Sequence, residues 1–195
     1  TAEAVFAAGL FADGPILLTA GGTAYFDRVA DRLSRGSGLG GRARIVARSG
    51  CYLTHDSGVI AGAIAALSAR DPSLAADAFA PALMIFTHVQ SRPEPEKAIL
   101  AMGRRDAGAD AGLPVPLFVH RPGRDSAPRP AGEGLRITAL NDQHAHLACP
   151  PDSDLAVGDV IACGVSHPCT TFDKWQVIFV VDDDWNVVDA IRTFF

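Results

Sequence analysis

The sequence predicts an α+β fold in two parts, with parallel β/α units over residues 1–79 and a mainly antiparallel β-domain over residues 80–195. The first part contains two predicted strands, the first of them a short, continuously apolar run, and each strand is followed by a glycine turn and a stretch with helical spacing. That order is typical of parallel β/α units. After about Ala80 the chain changes to short β-type segments separated by turns, which indicates a second domain.

Within the first part, the order of strand, glycine turn and helix occurs twice. We expect a helix end at residues 2–12, strands at 15–19 and 44–48, and helices at 25–33 and 59–69, the last stopped by Asp71 and Pro72. Two such units cannot close a sheet alone. They are therefore expected to end a larger sheet or barrel whose earlier strands lie outside this sequence.

The second part is expected to be a β-domain with one loop-rich region. Five of the 13 prolines fall between residues 114 and 130, which we interpret as loops. Strands are predicted at residues 82–90, 98–102, 136–140, 157–165, 176–181 and 186–191. Asp182, Asp183 and Asp184 would form the hairpin tip between the last two strands, with Trp175 and Trp185 as packing residues.

Composition excludes several classes of protein. A hydrophobic fraction of 48% and a charged fraction of 20% are typical of a globular chain. The net charge of -5 and the lack of a basic run argue against a nucleic-acid partner. No apolar run reaches the roughly 20 residues that a membrane span needs. The four cysteines have no regular spacing, as expected of reduced thiols in a cytoplasmic protein.

His167 and Cys169, two positions apart, are candidate metal ligands. If this stretch is extended, as Pro168 favours, the imidazole and the thiolate point to the same side. Zinc suits such a mixed nitrogen and sulfur set, and two protein ligands would leave positions open for water or substrate. The alternative is a buried cysteine beside a hydrogen-bonded histidine.

Two glycine turns are candidates for binding one phosphate. Gly22 and Thr23 stand between the first predicted strand and a helix, and Gly50, Cys51 and Tyr52 follow the second predicted strand. Glycines allow backbone N–H groups to approach an anion, and a helix N-terminus supplies donors and a favourable dipole. In (β/α)8 barrels a phosphate site often lies on the loops after the last two strands. The alternative is that each glycine serves only a tight turn.

A series of short motifs resembles a known family. In order they are residues 17–23, 48–56, 91–95, 102–106 and 141–144, and the His167-Pro168-Cys169-Thr170-Thr171 segment closes the series. This series resembles the C-terminal half of the D-threonine aldolase and D-serine dehydratase family. The resemblance implies a pyridoxal-phosphate enzyme of the alanine racemase fold type, in which a (β/α)8 barrel precedes a β-domain. This chain would hold the last two β/α units and the β-domain.

The resemblance also implies roles for individual residues. Gly22 and Thr23 match the phosphate-binding turn after barrel strand seven, and Gly50, Cys51 and Tyr52 match the turn after strand eight. His167 and Cys169 match the metal ligands, for zinc or manganese. Gln143 and His144 match a family motif near the active site. The family acts on β-hydroxy D-amino acids by dehydration or by retro-aldol cleavage, and its fold type builds the active site across a homodimer interface.

One feature departs from the family pattern. The Schiff-base lysine of the family lies at the end of the first barrel strand, whereas this sequence contains only Lys97 and Lys174, outside the β/α units. We therefore expect the chain to be part of a longer polypeptide and to be inactive by itself. The alternative is a non-catalytic, metal-binding or structural β-domain. A second alternative is a racemase of the same fold. A racemase would need no metal ligands, so His167 and Cys169 argue against it.

Overall fold

A computed structural model of the chain describes residues 1–34, 37–71 and 79–195, so the predicted helix stop at Pro72 lies outside it. The described residues divide into two compact units, Thr1–Leu53 and Thr54–Phe195. No helix within these ranges is both long enough and apolar enough to cross a membrane. The domain boundary expected after residue 79 stays a prediction.

The first unit contains the predicted parallel strand pair. Strand β1 pairs with β2 from Ile16 opposite Ala43 to Gly21 opposite Arg48. Each strand leads into a short 3-10 turn, at Thr23–Tyr25 and at Gly50–Tyr52. The helices and strands of this unit are α1 (Ala2–Ala7), β1 (Ile16–Gly21), α2 (Phe26–Ser34) and β2 (Ala43–Arg48).

Helix α1 is shorter than the predicted 2–12. Thr1 caps its start, because the hydroxyl accepts a bond from the backbone N–H of Ala4 at 3.5 Å. Gly9 has a φ of +70°, a backbone conformation outside the right-handed helical region, and the helix has ended before it. Apolar composition alone did not reveal this stop.

The second unit begins with helix α3 (Val59–Arg70) and continues into a seven-stranded sheet in the described part of the chain. The strand order is β6-β5-β9-β3-β4-β8-β7, and all neighbours are antiparallel. The strands are β3 (Met84–Glu94), β4 (Lys97–Leu100), β5 (Val115–His120), β6 (Arg129–Pro130), β7 (Arg136–Leu140), β8 (Ala145–Ala148) and β9 (Val160–Gly164). The fold class predicted from the sequence is confirmed.

The core of the second unit lies on the sheet. Ile85 and Val89 from β3, Leu100 from β4, Leu147 from β8 and Ile161 from β9 are all buried in one apolar cluster. Along β3 buried and exposed residues alternate, as expected when one face of a strand packs inward. The buried face anchors the loops that leave the ends of β4 and β9.

Three strands of this sheet, β5, β6 and β8, were not predicted, and β6 has only two residues. Strand β5 lies inside the proline-rich region, and its pairing with β9 changes register between Pro116 and Phe118. A bulge of this kind tolerates a proline, which has no N–H for the ladder. Strand β8 has only four residues, too few for a clear alternating pattern.

The C-terminal hairpin is confirmed and consists of β10 (Val177–Val181) and β11 (Val187–Arg192). At its tip, Asp182 Oδ1 accepts bonds from the N–H groups of Asp184 at 3.0 Å and Asn186 at 2.9 Å. Trp185 packs edge-on against Phe86 and Phe118, with ring centroids 4.8 and 5.8 Å apart. The aromatic packing therefore joins the hairpin tip to the large sheet.

Candidate metal and phosphate sites

His167 and Cys169 follow β9, at the start of the short helix α4 (Cys169–Phe172). Pro168 has φ -58° and ψ -42°, so the extended backbone expected from the sequence is wrong. Proline fits the start of a helix because its φ is already helical and no N–H is needed there. The Pro168 carbonyl accepts bonds from the N–H groups of Thr171 at 2.9 Å and Phe172 at 2.8 Å.

The helical turn still brings the two candidate ligands together. The ligand atoms of His167 and Cys169 lie within 4.8 Å of each other. Zinc binds sulfur at about 2.3 Å and imidazole nitrogen at about 2.0–2.1 Å, so one ion can reach both atoms with a small side-chain adjustment. The side chain of His167 is 30% exposed and Cys169 is exposed, so both are accessible to an ion.

Cys169 is also the cysteine best suited to bind a metal from solution. Cys51, Cys149 and Cys163 are buried, whereas Cys169 is exposed. Burial raises the pKa of the Cys163 thiol to about 12, and it raises the pKa of Cys149 as well. A thiolate is the form that binds metal, and burial disfavours it.

Asp110, which sequence reasoning did not identify, lies beside the metal-ligand pair. Its Oδ2 is 2.6 Å from His167 Nδ1, and its Oδ1 accepts a bond from the Thr170 hydroxyl at 2.7 Å. The hydrogen bond from Thr170, and then that from His167, lowers the pKa of Asp110. No sequence pattern links Asp110 to a histidine 57 positions later, because only the fold brings them together.

The loop that carries Asp110 packs closely against α4. The backbone N–H of Gly108 donates to the Thr171 hydroxyl at 3.2 Å, and a Cβ at Gly108 would overlap the Thr170 hydroxyl. The Ser166 hydroxyl donates to the carbonyl of Gly112. A side chain at position 108 would therefore displace the Thr170 hydroxyl, which donates to Asp110.

The two glycine turns lie next to each other at one edge of the parallel strand pair. Both follow the C-terminal ends of their strands, and the two turns contact each other. The rings of Phe26 and Tyr52 pack together with centroids 4.7 Å apart. A Cβ at Gly50 would meet no atom within 4 Å, so there is open space beside this backbone. The two turns are therefore neighbours at this edge, and their shared binding of one phosphate stays a prediction.

A positive charge lies at the same edge. The Arg48 side chain passes Gly21, where a Cβ would be 3.7 Å from the guanidinium carbon, and its Nε donates to the Thr19 hydroxyl at 3.1 Å. The first N–H groups of each 3-10 turn have no acceptor within the turn itself. Backbone donors and a guanidinium together favour an anion.

Two of the sequence motifs prove to be structural neighbours. The backbone N–H groups of Arg104 and Arg105 donate to the carbonyls of Asn141 at 2.9 Å and Asp142 at 3.0 Å. A Cβ at Gly103 would collide with these same carbonyl oxygens. Only glycine fits at position 103, because the backbone there packs against Asn141 and Asp142. These two residues directly precede Gln143 and His144.

The amino-acid sequence of this chain matches a model of a known protein family. The family model described as "Putative serine dehydratase domain" matches residues 82–181, more than half of the chain. The chain belongs to this family. No curated protein sequence matches the chain.

Solved structures with the same fold include two named enzymes. D-threonine aldolase from Filomicrobium marinum is 22% identical, with a TM-score of 0.62, over 96% of this chain and 42% of that chain. D-threo-3-hydroxyaspartate dehydratase from Delftia sp. HT23 is 18% identical, with a TM-score of 0.59, over 98% of this chain and 47% of that chain. This chain therefore spans less than half the length of either enzyme.

Further solved structures share this fold. An alanine racemase-like protein from Idiomarina loihiensis is 15% identical, with a TM-score of 0.60, over 98% of this chain and 59% of that chain. Solved structures of D-threo-3-hydroxyaspartate dehydratase also include variants in which a histidine and a cysteine two positions apart are each replaced by alanine. The cysteine variant is in a metal-free form.

The two lysines of this chain both belong to the second unit. Lys97 begins β4, and Lys174 follows α4 with its Nζ 3.6 Å from Asp173. Neither residue follows β1 or β2.

Proposed function

We propose that this chain is the C-terminal part of a pyridoxal-phosphate- and metal-dependent lyase that acts on β-hydroxy D-amino acids such as D-serine or D-threonine. The observation that carries the proposal is the pair of His167 and Cys169, whose ligand atoms lie within 4.8 Å of each other on an accessible turn. The same spacing separates the histidine and the cysteine that are replaced in two variants of D-threo-3-hydroxyaspartate dehydratase.

The donor set fits a zinc site with open positions. An imidazole nitrogen and a thiolate satisfy two of the four positions of a tetrahedral zinc ion, and the others remain for water or substrate. Bound there, the ion would supply a Lewis acid for the β-hydroxyl of the substrate. His167 and Cys169 would hold the ion, and the Pro168 turn would fix the distance between them.

The paired glycine turns fit the phosphate group of the cofactor. Gly22 and Thr23 would present donors from one turn, and Gly50, Cys51 and Tyr52 from the next. The open space at Gly50 leaves room for an oxygen atom close to the backbone. When bound, pyridoxal phosphate supplies an electron sink for chemistry at the Cα of the amino acid. The role of the two turns is to orient the cofactor by its phosphate.

Covalent attachment of the cofactor would depend on residues outside this chain. Lys97 and Lys174 lie on the second unit, in β4 and after α4, and neither follows a strand of the parallel pair. We therefore propose that this chain alone does not turn over substrate, and that the complete protein is a homodimer. A non-catalytic metal-binding domain is the competing function, and the position of the lysines is what favours it.

Zinc analysis of the purified chain tests the metal ligands. We expect bound zinc in the wild type, a marked loss in Cys169→Ala, and little change in Cys149→Ala, which removes a buried thiol elsewhere. Equal zinc content in the wild type and in Cys169→Ala would contradict the assignment.

Product analysis of the complete protein, with pyridoxal phosphate and zinc supplied, tests the activity. A dehydratase would release pyruvate and ammonia from D-serine, and 2-oxobutanoate and ammonia from D-threonine. An aldolase would release glycine and acetaldehyde from D-threonine. The proposed function is wrong if neither substrate gives either set of products. Turnover by the 195-residue chain itself would refute its proposed dependence on further residues.

A further inference from the structure

We infer that Asp110 is a positioning residue of the metal centre, which holds the His167 imidazole by Nδ1 and leaves Nε2 to bind the ion. The inference rests on the proposed metal function of His167 and Cys169. It concerns a carboxylate that contacts His167 and Thr170 through hydrogen bonds of 2.6 and 2.7 Å.

The first step concerns the proton between Asp110 and His167. An ionised carboxylate can only accept hydrogen bonds, so the Nδ1 atom must carry the proton that lies between them. An imidazole that binds a metal ion is neutral, so with the proton on Nδ1 the lone pair that reaches the ion is on Nε2. Metal-ligating histidines commonly donate their other ring N–H to a carboxylate, which fixes both the tautomer and the orientation of the ring.

The second step concerns what holds Asp110. Its other oxygen accepts a bond from Thr170, the residue after Cys169 in α4. The carboxylate therefore contacts the histidine on one side and the helical turn of the cysteine on the other. Through these two hydrogen bonds, Asp110 fixes His167 and Cys169 relative to each other. Gly108 allows its loop to pack closely against Thr170, which these bonds require.

A purely structural role for Asp110 makes a different prediction. An exposed pair of side chains of this kind adds at most about 1 kcal/mol to stability. Asp110 is 52% exposed and His167 30% exposed. A structural pair would leave zinc affinity and the histidine tautomer unchanged when the chain stays folded, whereas a positioning residue changes both.

The experiment measures the zinc dissociation constant of the 195-residue chain by competition with a chromogenic chelator. We expect Asp110→Ala to weaken zinc binding by about 10–100-fold. Thr170→Val, which removes one of the two anchors of the carboxylate, should weaken it less. Asp183→Asn removes the same charge at the exposed hairpin tip and should have no effect. In a His167→Ala background, Asp110→Ala should have no further effect, because the two residues act as one unit.

A second readout is the tautomer of His167 in the metal-free chain, from its ring nitrogen chemical shifts in ¹⁵N NMR. We expect the proton on Nδ1 in the wild type and a shift toward the Nε2–H form in Asp110→Ala. An unchanged tautomer and an unchanged zinc dissociation constant in Asp110→Ala would overturn the inference and leave the metal site intact. Failure of the wild type to bind zinc would instead refute the proposed metal site, and the metal role of Asp110 with it.

Discussion

Asp159 carries a buried negative charge in the second unit. It is 2% exposed and accepts two bonds from Arg121, from Nε at 2.7 Å and from Nη2 at 2.8 Å. The N–H of Ala156 adds a third bond at 2.8 Å. Burial acts to raise the pKa of Asp159, but the hydrogen bonds from Arg121 and Ala156 outweigh it, so the pKa is lowered.

We predict that Asp159→Asn lowers the free energy of unfolding by about 3 kcal/mol, because the Arg121 guanidinium loses its buried counter-charge. Asp154→Asn removes an exposed partner of Arg129 and should cost less than about 1 kcal/mol. Urea unfolding at pH 7 measures both changes. Similar values for the two variants would contradict the prediction.

The same residue gives a prediction for pH dependence. The folded pKa of Asp159 lies below the ordinary value of about 3.9. Its contribution to stability is therefore complete above roughly pH 4 and is lost as the pH falls through the folded pKa. The difference in unfolding free energy between the wild type and Asp159→Asn should shrink on acidification below about pH 4. A difference that stays constant down to pH 2 would rule this out.

At the scale of elements, the local pattern of apolar residues predicted most strands, but it did not predict the helical turn at Pro168 between His167 and Cys169. Strands β1, β3 and β7 and the C-terminal hairpin follow from apolar runs and alternation. The conformation of Pro168 does not, because one proline is compatible with an extended stretch and with a helix start. The choice depends on contacts such as the bond from the Thr171 hydroxyl to the His167 carbonyl at 3.1 Å.

The start of α3 depends on one buried carboxylate. Asp56 is 1% exposed, and its Oδ1 accepts bonds from the N–H groups of Gly58 and Ile60, both at 2.8 Å. It thereby satisfies donors that the first turn of a helix leaves without partners. The sequence shows the aspartate before the helix, but it does not show that the residue is buried.

We predict that Asp56→Ala lowers the free energy of unfolding by about 2 kcal/mol, because the cap is lost and buried N–H groups are left without an acceptor. Asp56→Asn keeps an acceptor oxygen of nearly the same geometry and should cost about half as much. Urea unfolding of both variants tests this order. An equal effect of the two substitutions would mean that the charge, not the cap, stabilises the helix.

At the scale of the whole molecule, the sequence predicts a change from parallel β/α units to an antiparallel domain. The position of that change, near Ala80, is inferred only from the change in sequence pattern. In the structure, residues before 80 contact the β-domain directly. The N–H of Ala82 donates to the carbonyl of Thr54 at 2.8 Å, and the N–H of Ser57 donates to the carbonyl of Val165 at 2.8 Å. Gly164 makes room for the Ser57 side chain. These contacts join positions too far apart for any periodic pattern to reveal.

The contacts of residues 54–58 predict how the chain can be divided. A fragment of residues 54–195 keeps both backbone hydrogen bonds and the α3 cap, whereas a fragment of residues 80–195 loses them. Because each buried hydrogen bond contributes roughly 1 kcal/mol, we expect the longer fragment to be more stable by at least about 2 kcal/mol. Urea unfolding of the two purified fragments measures the difference. If the shorter fragment is equally stable, residues 80–195 form a domain by themselves, and the boundary predicted from the sequence is correct.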